Sequence, residues 1–252
     1  VLEIIPHYQQ SCLIGFLPFF HSFGYTITLW LPALSGLRGV YHTSPLEPKI
    51  IGGLVKKYKG TIMVATSTFL QAFIRKCKTD QLDTLELLAC GAEKLMPRVR
   101  KAYQEKFGLE PVEAYGTTEL SPAVSVNVPD RISPGFFSQR IKRGSIGRLF
   151  DGQHARILDP DTKQDLSPGE AGLLCIAGSN VMQGYLNRPE LTDSVLHDGA
   201  YETGDIAALD EDGFLTITDR LSRFSKVAGE MVPHTKVEEE LHDLLGLTDL
   251  SM

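Results

Sequence analysis

The run Glu113-Ala114-Tyr115-Gly116-Thr117-Thr118-Glu119-Leu120 gathers side chains that suit a nucleoside phosphate. An aromatic ring such as Tyr115 can stack on a flat heterocycle, and Gly116 lets the backbone approach a ligand closely. Thr117 and Thr118 offer two successive hydroxyls that can donate to phosphate oxygens, and Glu119 is a hard oxygen ligand suited to Mg2+. The same letters also make a tight turn with a helix cap, because Thr-Thr-Glu is capping material.

A second cluster lies further along the chain. Tyr201-Glu202-Thr203-Gly204-Asp205 precedes an expected hairpin over 206–218, and Asp219-Arg220 follows it. A carboxylate held at a turn can accept both hydrogen bonds of a ribose diol, as acidic residues do in dinucleotide folds. The planar fork of Arg220 can bind the same sugar or a neighbouring anion. Against these stand an Asx-turn for Asp205 and a surface ion pair for Arg220.

The elements that must position these residues follow from patterning. Short apolar runs at 12–17, 37–41, 61–65, 85–90 and 111–115 read as strands, with helical segments at 25–35, 48–58, 68–77 and 97–107 between them. In the last of these, Val99, Tyr103 and Phe107 recur at four-residue spacing on one face. Such alternation predicts βαβ units, a mostly parallel sheet and helices on its faces. Ligands then bind beyond the carboxyl ends of the strands, where the Tyr115–Glu119 run falls. Residues 12–37 are apolar enough to suggest a membrane span, but Pro18, His21, Ser22, Gly24, Pro32 and Gly36 interrupt them, and a buried strand followed by a buried helix is the expectation.

After Leu120 the character changes. Residues 128–144 read as a long surface loop, and short β-like runs at 154–158, 172–177, 206–209 and 214–218 predict an antiparallel β subdomain, a distorted barrel. Amphipathic residues 236–245 close the chain in a segment too short to bury a core alone. The fold class expected is therefore α/β followed by antiparallel β. Its divisions are an α/β subdomain over 1–127, a β-rich subdomain over 128–219, and a hinge with the start of a small α+β domain over 220–252. Val1 in place of Met, and that short last segment, make cut ends the expectation on both sides.

Bulk properties exclude other classes. A hydrophobic share of 42% with 22% charged residues fits a folded domain rather than a disordered chain. A net charge of -6 argues against a general nucleic-acid binder, which needs surplus Lys and Arg. Cys12, Cys77, Cys90 and Cys175 are scattered without C-x-x-C pairing, so neither a disulfide framework nor a zinc site is expected, and a reducing cytoplasmic setting fits.

Taken in order, these motifs are similar to those of the adenylate-forming superfamily of acyl-CoA synthetases, luciferases and peptide-synthetase adenylation domains. Tyr-Gly-Thr-Thr-Glu, Thr-Gly-Asp, and Asp-Arg ahead of Lys and Gly-Glu carry the likeness. So do Phe16-Leu17-Pro18-Phe19-Phe20-His21-Ser22-Phe23-Gly24, Cys90-Gly91-Ala92-Glu93, Gly147-Arg148 and Gly184-Tyr185. The resemblance implies ATP, AMP and Mg2+ as cofactors. Tyr115 would lie against adenine, with Gly91, Ala92 and Glu93 as the other wall. Gly116 and Thr117 would also contact the nucleotide, Thr118 would contact the α-phosphate, and Glu119 would hold Mg2+. Asp205 would bind the ribose hydroxyls with help from Arg220. His21 would stand where nucleotide and acyl pockets meet, or be a satisfied core histidine. Phe16, Phe19, Phe20, Phe23 and Trp30 would line an acyl site or serve as core.

The implied reaction has two steps. A carboxylate attacks the α-phosphorus of ATP, giving acyl-adenylate and pyrophosphate; a thiol then attacks the carbonyl and AMP leaves. Between the steps the family turns its small carboxyl-terminal domain about a hinge, here 220–226, where Arg223 stands in place of the usual Asp or Lys. Lys226 and Gly229 fall where the second conformation builds a thiol tunnel. Residues 222–232, with Phe20-His21-Ser22-Phe23-Gly24 earlier, resemble the acyl-acyl-carrier-protein synthetase part of bifunctional 2-acylglycerophosphoethanolamine acyltransferases. That implies a fatty acid, acyl carrier protein (or coenzyme A) as phosphopantetheine thiol donor, and a fused membrane acyltransferase domain working at the inner membrane. No Ser/Thr/Gly-rich phosphate loop precedes His21, and the catalytic Lys of the family's last domain would lie beyond Met252, so the expectation is an inactive piece. An ordinary acyl-CoA synthetase and a non-catalytic nucleotide-binding module are the alternatives.

Overall fold

The computed structural model describes residues 10–128, 131–133, 136–138, 141–227 and 230–244. The chain forms two compact units that divide between Val128 and Pro129.

In the first unit β1 (Cys12–Gly15) is followed by a π-helix, Gly24–Trp30, which runs into the short α1 (Leu31–Ser35). The helix expected over 25–35 is thus split. Gly36, left-handed at φ 74°, ends it by donating from its N–H to the Pro32 carbonyl. Then come β2 (Arg38–Tyr41), α2 (Pro48–Tyr58), β3 (Ile62–Ala65), α3 (Ser67–Lys76), β4 (Leu87–Cys90), α4 (Pro97–Phe107), β5 (Val112–Tyr115) and β6 (Ser125–Val126). The order across the sheet is β2-β1-β3-β4-β5-β6, parallel until β6, which pairs antiparallel with β5. The α/β expectation holds, and the order reverses between β1 and β3, the kind of place where such sheets bind ligands.

Each helix buries the stripe its sequence carries. Pro48, Ile51 and Val55 of α2, Leu70 and Phe73 of α3, and Val99 and Tyr103 of α4 face inward. Tyr103 is fully buried and satisfies its hydroxyl by donating to the Leu70 carbonyl at 3.2 Å. Burial of such a side chain contributes about 2–3 kcal/mol. Phe16 belongs to this core, packed against Phe69 and Phe73 at ring separations of 6.2 and 5.7 Å. No helix among the described residues is long and apolar enough to cross a membrane.

The second unit is antiparallel. β7 (Arg131–Ser133) and β8 (Phe136–Ser138) pair within what the sequence presents as loop. After β9 (Arg148–Leu149), β10 (Gln153–Leu158), β11 (Ala171–Gly178), the short α5 (Pro189–Asp193), β12 (Leu196–His197), β13 (Ala200–Leu209) and β14 (Leu215–Arg220) build the main sheet. Its order is β10-β11-β13-β12, with β14 also on β13. Leu158, Leu173, Cys175 and Ile206 form a core cluster against which Leu221 packs. A 3-10 turn, Leu221–Arg223, leads to the hairpin β15 (Phe224–Val227) and β16 (Glu230–Pro233), then α6 (His234–Leu244).

Candidate functional site

Each unit builds one cluster of the expected residues, and the two are constructed differently. In the first, β5 delivers Tyr115 at its carboxyl end, half-buried. The chain then folds back so tightly that a Cβ on Gly116 would lie 1.6 Å from the Pro122 carbonyl oxygen, so no side chain fits there. Two backbone bonds hold the fold-back: Val124 N–H to the Tyr115 carbonyl at 2.9 Å, and Leu120 N–H to the Thr117 carbonyl at 3.0 Å.

The two adjacent hydroxyls have different surroundings. Thr117 Oγ1 is buried and makes no hydrogen bond. Thr118 opens a 3-10 turn and is exposed, its hydroxyl 3.1 Å from Ser22 Oγ across 96 positions of sequence. Glu119, next in that turn, is half-buried.

His21 is exposed, which excludes the core-histidine reading. Its Nδ1 accepts from the Phe23 N–H at 3.1 Å, so the neutral ring carries its proton on Nε2 as a donor. Phe20 is 93% exposed, whereas the Phe23 ring lies 3.0 Å from where a Cβ on Gly91 would stand, joining the segment after β1 to the end of β4.

Of the expected second wall, Gly91 is buried and Ala92 holds a left-handed φ of 64°. Glu93 uses its carboxylate structurally: it accepts from the Thr68 N–H at 2.8 Å and the Thr68 hydroxyl at 2.9 Å, capping α3. What this segment offers a ligand is backbone and Ala92. Glu113 is likewise structural, taking Arg100 Nη2 at 2.6 Å and tying β5 to α4. Between these carboxylates the Cys90 thiol is pushed up to about 12, by burial first and then by Glu93 and Glu113, and stays protonated.

The second unit's cluster arises from strand irregularity. Tyr201–Asp205 lie within β13, not in a turn ahead of it. On the β11 side the register steps from Leu173↔Ile206 to Cys175↔Glu202, so Thr203, Gly204 and Asp205 stand opposite Leu174 alone. On the β14 side it shifts again, between Ile206 and Ala207. Such bulges re-aim side chains. Gly204, at φ 73°, supplies the left-handed residue this one needs. Thr203 pins it, donating to the Leu174 carbonyl at 2.9 Å while accepting from the Asp205 N–H at 3.0 Å.

Asp205 is thereby 4% exposed, and its Oδ1 lies 3.1 Å from Nε of Arg220, its cross-strand partner. The guanidinium reaches outward, its side chain 67% exposed.

Beyond Asp219, Arg223 Nη2 donates to both carboxylate oxygens of Glu238 on α6 at 2.6 and 2.7 Å, and its Nε stands 3.9 Å from Asp219. Lys226 lies in β15 opposite Met231. Gly229 is outside the described residues. Ser22 and Thr203 lie inside motifs of the sequence, but no role of their own is legible there. Their only signal is that membership, since the partner of each is set by tertiary structure.

All four cysteines are free and buried. Among the described residues no three His, Cys, Asp or Glu gather as a metal cage. A single carboxylate such as Glu119 fits Mg2+ that keeps most of its coordination on waters and substrate phosphates.

A family profile described as AMP-binding enzyme matches residues 3–186. The long-chain-fatty-acid–CoA ligase of Salmonella typhimurium is 34% identical over 250 residues, covering 97% of this chain and 42% of that protein. The probable 4-coumarate–CoA ligase 1 of Dictyostelium discoideum is 35% identical over 242 residues, 94% of this chain and 42% of its own length. The chain thus spans less than half the length of these relatives. Among solved structures, O-succinylbenzoate coenzyme A synthetase from Bacillus subtilis in complex with ATP and magnesium ion aligns at TM-score 0.78 and 26% identity, covering 95% of this chain and 48% of that one. ATP-bound MatB from Rhodopseudomonas palustris, at 24% identity, aligns at TM-score 0.84 over 96% and 46% of the two chains, a likeness of fold.

Proposed function

The chain belongs to the AMP-binding enzyme family, and on that premise we propose that it handles the nucleotide in an ATP-dependent ligase that activates a fatty acid as its acyl-adenylate. The observation that carries the reading is Asp205: a buried carboxylate fixed by a bulge and paired to an outward guanidinium. A carboxylate held in one orientation pays less ordering cost when it accepts the hydrogen bonds of a ribose diol.

Each residue has a role its surroundings permit. Tyr115 stacks on adenine, and Gly91 with Ala92 offers flat backbone to the same base. Thr118 donates to an α-phosphate oxygen, and the Nε2 proton of His21 serves an oxygen of the reacting carboxylate or phosphate. Glu119 holds Mg2+, whose charge offsets that of the phosphates. Catalysis of adenylate formation is then positioning plus charge stabilisation. The acyl group next passes to a phosphopantetheine thiol and AMP leaves, with Arg223 at the hinge.

Two acceptors are proposed on different grounds. The names of the relatives favour coenzyme A. Residues 222–232 favour acyl carrier protein, and with it a fused acyltransferase partner and work at the inner membrane from the cytoplasmic side. The full-length protein, assayed with a fatty acid, ATP and either acceptor, separates them: the true acceptor is acylated and the other is not. Failure of fatty-acid-dependent ATP–pyrophosphate exchange in the full-length protein would sink the whole reading and leave a nucleotide-binding module. The 252 residues alone are expected to bind AMP without exchange. They carry neither the phosphate loop nor the lysine of the resemblance, and comparable electrostatic groups are each worth about 2.7–4 kcal/mol.

A further inference from the structure

Thr118 is exposed at the start of a 3-10 turn, and the hydroxyl of a β-branched residue there has more than one staggered direction open to it. Thr117 offers no help, since its own Oγ1 is buried. The side chain that meets Thr118 is Ser22, with 3.1 Å between the oxygens. Ser22 is not on a flexible tether. It follows His21, whose Nδ1 takes the Phe23 N–H, and precedes Phe23, whose ring rests against Gly91. The Tyr25 N–H bonds back to the His21 carbonyl at 2.9 Å, so the segment is fixed at both sides of Ser22.

We propose that Ser22 is a positioning residue for Thr118: its hydroxyl donates to Thr118 Oγ1 and selects one rotamer, so that Thr118 keeps its own proton for the α-phosphate and meets it in a single orientation. This rests on the reading of Thr118 as a phosphate contact. A hydroxyl pair suits the task because Ser22 can donate to the Thr118 oxygen and leave the Thr118 proton for a phosphate oxygen. It also couples the segment after β1, which carries His21, to the segment after β5, which carries Glu119. A shift of either alters the aim of Thr118.

The experiment is fatty-acid-dependent ATP–pyrophosphate exchange in the full-length protein, with Ser22→Ala, Ser22→Thr, Thr118→Ala and Ser22→Ala/Thr118→Ala, alongside thermal denaturation of each. Ser22→Ala is expected to lower kcat about tenfold, the loss of one ordinary hydrogen bond, with KM for ATP within about twofold. Ser22→Thr restores most of the rate, and the double variant is no worse than Thr118→Ala alone. A purely structural Ser22 would instead lower the melting temperature, and its effect would add to that of Thr118→Ala. Additive losses, or an unimpaired Ser22→Ala beside an impaired Thr118→Ala, overturn the inference and leave the reading of Thr118 standing. Full exchange by Thr118→Ala overturns both. Should Ser22→Ala fail to fold, Ser22→Thr decides: a folded variant that has lost exchange contradicts the proposal, and one that keeps it supports the need for the hydroxyl.

Discussion

The α/β unit and the antiparallel unit each present a polar cluster, and they do so by opposite means. In the first, side chains stand on the irregular segments that follow parallel strands: Tyr115 half-buried, Thr118 and His21 exposed. In the second, Asp205 sits inside a strand and is almost wholly buried, aimed by register shifts toward β11 and β14. A strand-end cluster gets its shape from a close-packed turn, whereas a bulge gets it from one unusual residue and a ladder that works around it. The first should therefore be rigid to any added volume, and the second tolerant of volume but sensitive to backbone conformation.

Three substitutions test that contrast. Gly116→Ala should be the most damaging, because its Cβ would fall on a backbone oxygen that no side-chain rotation can clear. A loss of about 3 kcal/mol or more is expected, measured by denaturant unfolding, since overpacking against immovable backbone lies at or beyond the usual range. Gly204→Ala meets no atom within 4 Å, so only its left-handed φ of 73° is penalised. That should cost about 1–2 kcal/mol and shift the melting temperature by about 2–8 °C. If Gly204→Ala proves worse than Gly116→Ala, the contrast is wrong. Smaller again, Glu93→Ala removes the acceptor at the start of α3 and should cost about 1 kcal/mol while leaving nucleotide affinity nearly unchanged. A large loss of AMP affinity in a stable Glu93→Ala protein would return that carboxylate to the binding site.

Cys90 adds a pH dependence with a definite sign. Its thiol rises from the ordinary value of 9.0 to about 12 in the folded chain. The stability gained by keeping it neutral is complete below pH 9 and is lost as pH climbs toward 12, because the unfolded chain releases that proton first. Alkylation of Cys90 should accordingly stay slow in the native protein and follow unfolding; rapid labelling near neutral pH would contradict its burial.

How much of this the sequence discloses differs between the units for the same physical reason. The α/β unit is legible because strand and helix periods differ, so Val99 and Tyr103 or Leu70 and Phe73 announce their faces. Its motif residues fall where such strands end. The hairpin of β13 and β14 is only partly legible. Thr203-Gly204-Asp205 reads as a turn because Gly and Asp are turn residues, and nothing local says that the strand continues through them from Ala200. The pairing of Ser22 with Thr118 and the use of Glu93 as a cap are equally invisible, since each depends on a partner brought near by folding. The π-helix at Gly24–Trp30 has no local signal that distinguishes it from the α-helix expected there.

The most direct measurement is a calorimetric titration of the chain with AMP, repeated with Asp205→Ala. Binding by the wild-type chain is expected, with a loss of about 30-fold or more in the variant, because a buried acceptor for two hydroxyls is gone and Arg220 loses its partner. A folded Asp205→Ala chain that binds AMP as tightly as wild type would contradict that role for Asp205.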